Sequence, residues 1–240
     1  AGGTLALGAN NALASGGVTV TGGATFDIGT FSDSVGTVTL TNGNITGTTG
    51  TLTGTSYAVQ NGTISAILGG AVGLTKTTAG TVTLSGANTY TGATTINGGV
   101  LSVSSLANGG SASNIGASSS AAANLVINNG TLRYTGATAS TDRNVTLTAG
   151  ATGSIDVTGA ATNLTISGAT TNTTGRLTKL GDGTLTLTGT NLNSGTTTIA
   201  AGTLQVGNGG TTGSLGAGGV TNLGRLVFNR SDAITVSNVV

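Results

Sequence analysis

The chain has 240 residues, 45 of them Gly, with 5% charged residues and a formal net charge of +1. There is no His, Cys, Met, Trp, Pro or Glu. Zinc, haem and iron–sulfur sites thus lack their usual ligands, a Ser–His–Asp triad is impossible, and no basic footprint exists for nucleic acid.

The local pattern is alternation. Val18-Thr19-Val20, Thr37-Val38-Thr39-Leu40-Thr41, Thr81-Val82-Thr83-Leu84-Ser85, Asn144-Val145-Thr146-Leu147-Thr148 and Thr184-Leu185-Thr186-Leu187-Thr188 place an apolar residue at every second position. That is the strand period, and Thr is a β-former that stays wettable. Strands are expected near Val18, Val38, Tyr57, Lys76, Ile96, Leu125, Val145, Leu164 and Leu185, in steps of about 20 residues with one of about 29. The long step holds Ser104 to Ala123, rich in Ser, Ala and Gly. It is expected to stand off as a loop insertion over 104–123, and Ser118 to Ala123 is its one stretch that could turn helical. Asn42-Gly43, Asn61-Gly62, Asn97-Gly98, Asn108-Gly109, Asn129-Gly130 and Asn208-Gly209 are turn signals. Alone they would suggest hairpins; the steady longer period makes them corners of a solenoid.

The fold class is therefore all-β, a single β-solenoid segment over 1–240 with about 20 residues per coil. Val82, Leu84, Leu185 and Leu187 should point inward, and Thr81, Thr83, Thr184 and Thr186 should be wet. Apolar runs are too short to span a bilayer as helix, and six aromatics cannot build the girdles of a membrane barrel. The start, Ala1-Gly2-Gly3-Thr4, reads as a processed piece of something longer, and Val239-Val240 as a cut strand. With no capping element in sight, the ends should be met by copies of the chain or by the continuing parent chain.

Candidate sites are few. Asp27 and Asp33 are the nearest carboxylate pair, the minimum for polysaccharide cleavage in a groove; as solvated turn residues they would do nothing. Asp142-Arg143 reads as a local exposed ion pair. Gly181-Asp182-Gly183 has the look of a calcium-binding turn but lacks the tandem pattern of such turns. Gly207 to Gly219 lacks the strand and helix of a phosphate loop. Asn44-Ile45-Thr46 and Asn163-Leu164-Thr165 are sequons in a chain full of Asn and Thr. Thr-x-Thr pairs at Thr37/Thr39, Thr81/Thr83, Thr89/Thr91, Thr146/Thr148 and Thr184/Thr186 could stack into a flat array able to bind ice or carbohydrate. No catalytic, cofactor-binding or metal residue is assigned, and no cofactor is expected.

A longer repeat stands above the period. Leu74, Thr75 and Lys76 match Leu177, Thr178 and Lys179. With the same offset and no gap, Gly80, Leu84, Gly86, Asn88, Gly92, Thr94, Thr95, Ile96, Gly99, Leu101 and Val103 match Gly183, Leu187, Gly189, Asn191, Gly195, Thr197, Thr198, Ile199, Gly202, Leu204 and Val206. Leu74 to Val103 resembles the passenger-associated transport repeat of autotransporter proteins. So does Leu177 to Val206, with Asn193 in place of Tyr90. The copies are placed at 72–103 and 175–206. The resemblance implies a right-handed parallel β-helix, export across two membranes, and an extracellular or cell-surface location on a Gram-negative-type bacterium. It also implies a C-terminal β-barrel translocator, which these 240 residues do not contain. The expected function is a non-catalytic structural or adhesive rod, a stalk or filament segment, meeting host or environmental surfaces. A ligand-binding solenoid using its Thr faces for ice or carbohydrate is the alternative, and a polysaccharide-active enzyme ranks last.

Overall fold

The structure, a computed structural model, describes residues 2–238; the expectation for Val239-Val240 lies outside the described residues. The chain is a β-solenoid. All named strand pairings are parallel, and each strand stacks on one about a coil earlier. One sheet, the long face, has 11 strands from Thr4–Ala6 to Val220–Asn222. A flanking face has seven strands, from Val18–Val20 to Thr146–Leu147. The third face is split into a three-stranded sheet early in the chain and a five-stranded sheet late in it. At about 4.8 Å per layer, 11 layers make a rod of roughly 50 Å.

Alternation builds the interior. On the long face Phe26, Ile45, Ile64, Leu84, Val103, Tyr134 and Val157 stack in register as one buried column. On the flanking face Val20, Leu40, Val59, Lys76, Ile96, Ile127 and Leu147 form another. The long-face column runs on into Leu5, which is 54% exposed. On the third face Phe228 extends the Leu187–Val206 column and is 39% exposed. Val82, Leu84, Leu185 and Leu187 point inward, as the alternation requires. Thr81, Thr83 and Thr184 lie partly exposed on the outside, but Thr186 is buried. It is in register with Thr165 and Gln205, and its hydroxyl donates to Asn163 Oδ1 at 2.8 Å, so neighbouring layers close over it.

Residues 104–121 contain no strand, and Ala122–Asn124 is a single 3₁₀ turn. The segment does not stand off the rod. Leu106, Ser113, Asn114, Ile115 and Ser118 are all buried, and Asn88 pairs with Ser113 through an isolated bridge. Ile115 gives the loop an apolar anchor, and the polar contacts described below fasten the rest.

The two repeat copies make the same backbone path. Gly86 packs against the carbonyl of Ala66 and Gly189 against that of Gly168, each on the preceding coil. Gly99 and Gly202 turn with φ of 61° and 62°, against carbonyls at matching offsets. They do not start on the same face. The first copy runs flanking, long, flanking, long; the second runs long, third, long, third. A Cβ at Gly86 would lie 2.3 Å from Ala66 O, and one at Gly189 2.2 Å from Gly168 O. Gly86→Ala and Gly189→Ala should each cost about 1–3 kcal/mol, whereas Gly3→Ala, with nothing near its side, should leave stability unchanged. Urea unfolding followed by circular dichroism checks this.

Candidate functional site

The surface divides by charge. Between Gly2 and Leu132 the only charged residues are Asp27, Asp33 and Lys76. Asp33 and Lys76 are buried, so Asp27 is the one charge on the outside of that half. Its carboxylate is engaged, accepting from Gly29 N at 3.0 Å and Thr46 Oγ1 at 2.9 Å. The outer columns here are mostly hydroxyls and amides. Thr4, Thr25, Asn44, Thr63, Thr83 and Ser102 stack along the long face. Thr19, Thr39, Ala58, Thr75, Thr95, Val126 and Thr146 stack along the flanking face. Many of these groups bond from coil to coil: Thr63 Oγ1 donates to Asn44 Oδ1 at 2.6 Å, Asn61 Nδ2 to Asn42 Oδ1 at 3.1 Å, and Asn128 Nδ2 to Asn97 Oδ1 at 3.2 Å. The Thr-x-Thr pairs do not make a grid. Thr37/Thr39 lies on the flanking face, Thr81/Thr83 on the long face and Thr184/Thr186 on the third. Thr37/Thr39 meets Ser56/Ala58 in the next coil, and Thr81/Thr83 meets Val100/Ser102.

Asp27 and Asp33 stand on different faces and form no common site. Asp33 occupies an inward position in register with Leu52, and its Oδ2 accepts from Leu13 N at 2.9 Å. It pins the irregular first coil to the second; it is not a solvated turn residue. Among the described residues no group of three or more carboxylates could hold a metal. At Gly181-Asp182-Gly183 the turn carbonyls already have a cation. Lys179 Nζ donates to Leu180 O and Gly181 O, each at 2.7 Å.

Arg143 overturns the exposed-pair expectation. It is 1% exposed, and its guanidinium faces no carboxylate. Its Nε donates to Ala107 O at 3.1 Å, Nη1 to Ser118 O and Ser118 Oγ at 2.9 and 2.8 Å, and Nη2 to Gly116 O at 3.0 Å. Asp142 turns the other way and accepts from Gly109 N at 2.7 Å. The insertion is thus wrapped around a guanidinium and latched outside by a carboxylate. Asn114 adds a second fastening, accepting from Ser104 N and Ser105 N and donating to Gly86 O. Burial holds the Arg143 pKa below its ordinary value.

Two lysines stand in aliphatic columns, Lys76 between Val59 and Ile96 and Lys179 between Ile155 and Ile199. Both are 0% exposed. Lys76 Nζ donates to Thr77 O at 2.6 Å, Thr78 O at 2.9 Å and, one coil on, Gly98 O at 3.2 Å. Lys179 repeats the arrangement at the same offsets, its third contact being Ala201 O at 3.4 Å. Burial lowers both pKa values, that of Lys179 to about 8, with Asp156 and Asp182 opposing the shift. Thr78 sits at φ 62°, a left-handed conformation that is costly for a β-branched residue; the second copy has Gly181 there, at φ 73°. The Tyr90/Asn193 difference is absorbed inside. Tyr90 is buried with its hydroxyl 2.8 Å from Thr94 Oγ1, and the buried Asn193 amide instead accepts from Thr170 Oγ1 and donates to Gly175 O.

A known repeat family meets the chain at the stretches where these lysines stand. The passenger-associated-transport-repeat family matches residues 74–103 and 177–206. The chain carries two passenger-associated transport repeats. A stretch of 92 residues is also 52% identical to the Adhesin BmaC autotransporter of Brucella suis biovar 1 (strain 1330). That stretch is 38% of this chain and 3% of the adhesin, so the chain spans a small fraction of that relative's length. No solved structure matches. The similarity to autotransporter passenger domains thus rests on the transport repeats and the adhesin together. No helix among the described residues is long and apolar enough to cross a membrane.

Arg143→Met should leave the loop carbonyls without a donor and expose 104–121 to protease, while the coils before Thr81 stay protected. Limited proteolysis with mass mapping would show the cut. Thr78→Gly should raise stability by about 1 kcal/mol by removing the left-handed strain; a chemical-denaturation midpoint measures it.

Proposed function

We propose that this segment is the adhesive shaft of a secreted bacterial surface protein, a stalk or filament piece that holds on without catalysis. The observation that carries this reading is the hydroxyl- and amide-bearing outer surface of the first half, whose single charge is the partly buried Asp27. Such a surface offers hydrogen bonds along a straight line and no long-range repulsion. It suits contact with an uncharged glycan or a hydroxyl-rich surface laid along the rod. The name of the related adhesin supports the same reading, and so does the separation of Asp27 from Asp33 onto different faces.

The ends belong to the same proposal. Leu5 and Phe228 leave inward columns open to solvent, and each terminal strand offers unpaired backbone groups to a further coil. Further coils there, from the continuing parent chain or from a second copy stacked head to tail, would extend the shaft. Sedimentation of the isolated 240 residues should show concentration-dependent growth if copies stack, and a single species if only a covalent continuation fits.

Contact through an uncharged face should ignore salt. Binding of the purified segment to immobilised uncharged polysaccharide and to host-cell surfaces should change less than about twofold between low and molar NaCl, since there are no ion pairs to screen. Thr75→Asp with Thr95→Asp, which charges the flanking face, should weaken it at least tenfold. Binding that collapses in salt, or that survives the charged variant, would place the contact in the charged second half or elsewhere.

A further inference from the structure

The two repeat lysines are buried titratable groups for which adhesion has no use. Each side chain occupies a position whose register neighbours one coil before and after are aliphatic. An apolar residue would fill the column at less cost, because an ammonium must be stripped of water to enter it. The return is specific. An ammonium has three donors, and in both copies all three reach carbonyl oxygens: two in the turn directly after the lysine and one in the corresponding turn of the next coil. These corners lie just past the strand ends: the backbone ladder reaches Asn97 N to Lys76 O and Ala200 N to Lys179 O and resumes at Val100 N and Thr203 N, and the lysine contact lies in the gap between. The contacts to the lysine's own turn hold Thr78 and Gly181 in their left-handed conformation. The contact to Gly98 or Ala201 then ties that fixed turn to the coil above. No carboxylate is paired with Lys76, and the ion pairs of the described residues lie elsewhere, at Arg133–Asp156 and Arg230–Asp232.

We propose that Lys76 and Lys179 are tethered cations that clamp successive coils together, and that each transport repeat is thereby a rip-stop, a place where unwinding of the rod under load halts. In a solenoid each coil touches only its neighbours, so pulling on one end peels coils in sequence and the strongest interface along the way sets the pause. Charge-assisted bonds at a corner must break before the coil bearing Gly98 or Ala201 can leave the coil bearing the lysine. The same carbonyl cup is what a bound metal ion would use; here the cation is part of the chain and needs no supply from the medium.

The experiment is single-molecule unwinding of the 240-residue chain pulled from its C-terminal end in an optical trap. The wild type should lengthen in coil-sized steps with two long dwells, first before loss of the coil at 197–206 and then before loss of the coil at 94–103. Lys179→Met keeps the length and apolar stem of the side chain but removes the cation. It should shorten the first dwell about tenfold and leave the second; Lys76→Met should do the reverse. Uniform peeling of the wild type, or dwells that persist in the double Met variant, would overturn the clamp. If a Met variant does not fold, hydrogen exchange of the wild type decides: amides of residues 74–78 and 94–98, and of 177–181 and 197–201, should be the slowest in the rod. Slower exchange in other coils would refute the proposal.

Discussion

Everything in this molecule depends on one requirement: each coil must present its successor with an unbroken, parallel line of backbone donors and acceptors in the same register. The composition answers that requirement. A strand stacked on both sides has no place for Pro, and there is none. Corners that press against the coil beneath leave no room for a side chain, which puts Gly at 86 and 189. A narrow interior has room for one apolar residue per layer and column, so a modest supply of Val, Leu and Ile, spread evenly along the chain, is enough. The outer positions answer to solvent alone, and Thr and Asn fill them because they favour or tolerate the extended and corner backbone and can bond to the layer above.

Most of this architecture can be read from the amino-acid order. Alternation marks strands, the period of about 20 residues marks coils, and the repeat at 74–103 and 177–206 carries the likeness to the passenger-associated-transport-repeat family. The lysines were legible in principle. Lys76 has the same parity as Leu74, and Lys179 the same as Leu177, so alternation places all four inside. Reading charge as a mark of the surface hides this. Arg143 shares the parity of Val145 and Leu147, so alternation places it inside too, but what it bonds to could not be found that way. Its partners are carbonyl oxygens of a loop without pattern, and every residue has a carbonyl, so no side-chain signal points to them. The docking of 104–121 is obscured for the same reason: a Ser-, Ala- and Gly-rich stretch looks free until one buried guanidinium gathers it. Thr186 shows the limit of a strict in-and-out reading, since an outward residue loses its water when Gln205 and Thr165 lie directly above and below.

Four of the five buried charges of the described residues share one use, the exception being Asp156, which is paired with Arg133. Asp33, Lys76, Arg143 and Lys179 all bond to backbone groups rather than to opposite charges. Each of the three cations satisfies several peptide groups at once, and Asp33 one, and so fixes backbone that neither a sheet ladder nor apolar packing can define. The charges are spent on irregular backbone: the first coil, the repeat turns and the insertion. On the regular strands of the described residues the one ion pair is Arg133–Asp156, on the long face, and the outer surface of the first half is left almost without charge.

The two repeat copies lie four coils and one face apart, because their strands stack on different sheets. A duplicated segment was therefore not locked to the side of the rod it came from; local turns, and not ancestry, decide which way a copy looks. Two stretches with the same framework of Gly, Thr and apolar positions consequently survey different directions around a common axis. A shaft fixed at one end would offer the same chemical signature to its left and to its front, and an object pressed against one copy would leave the other uncovered.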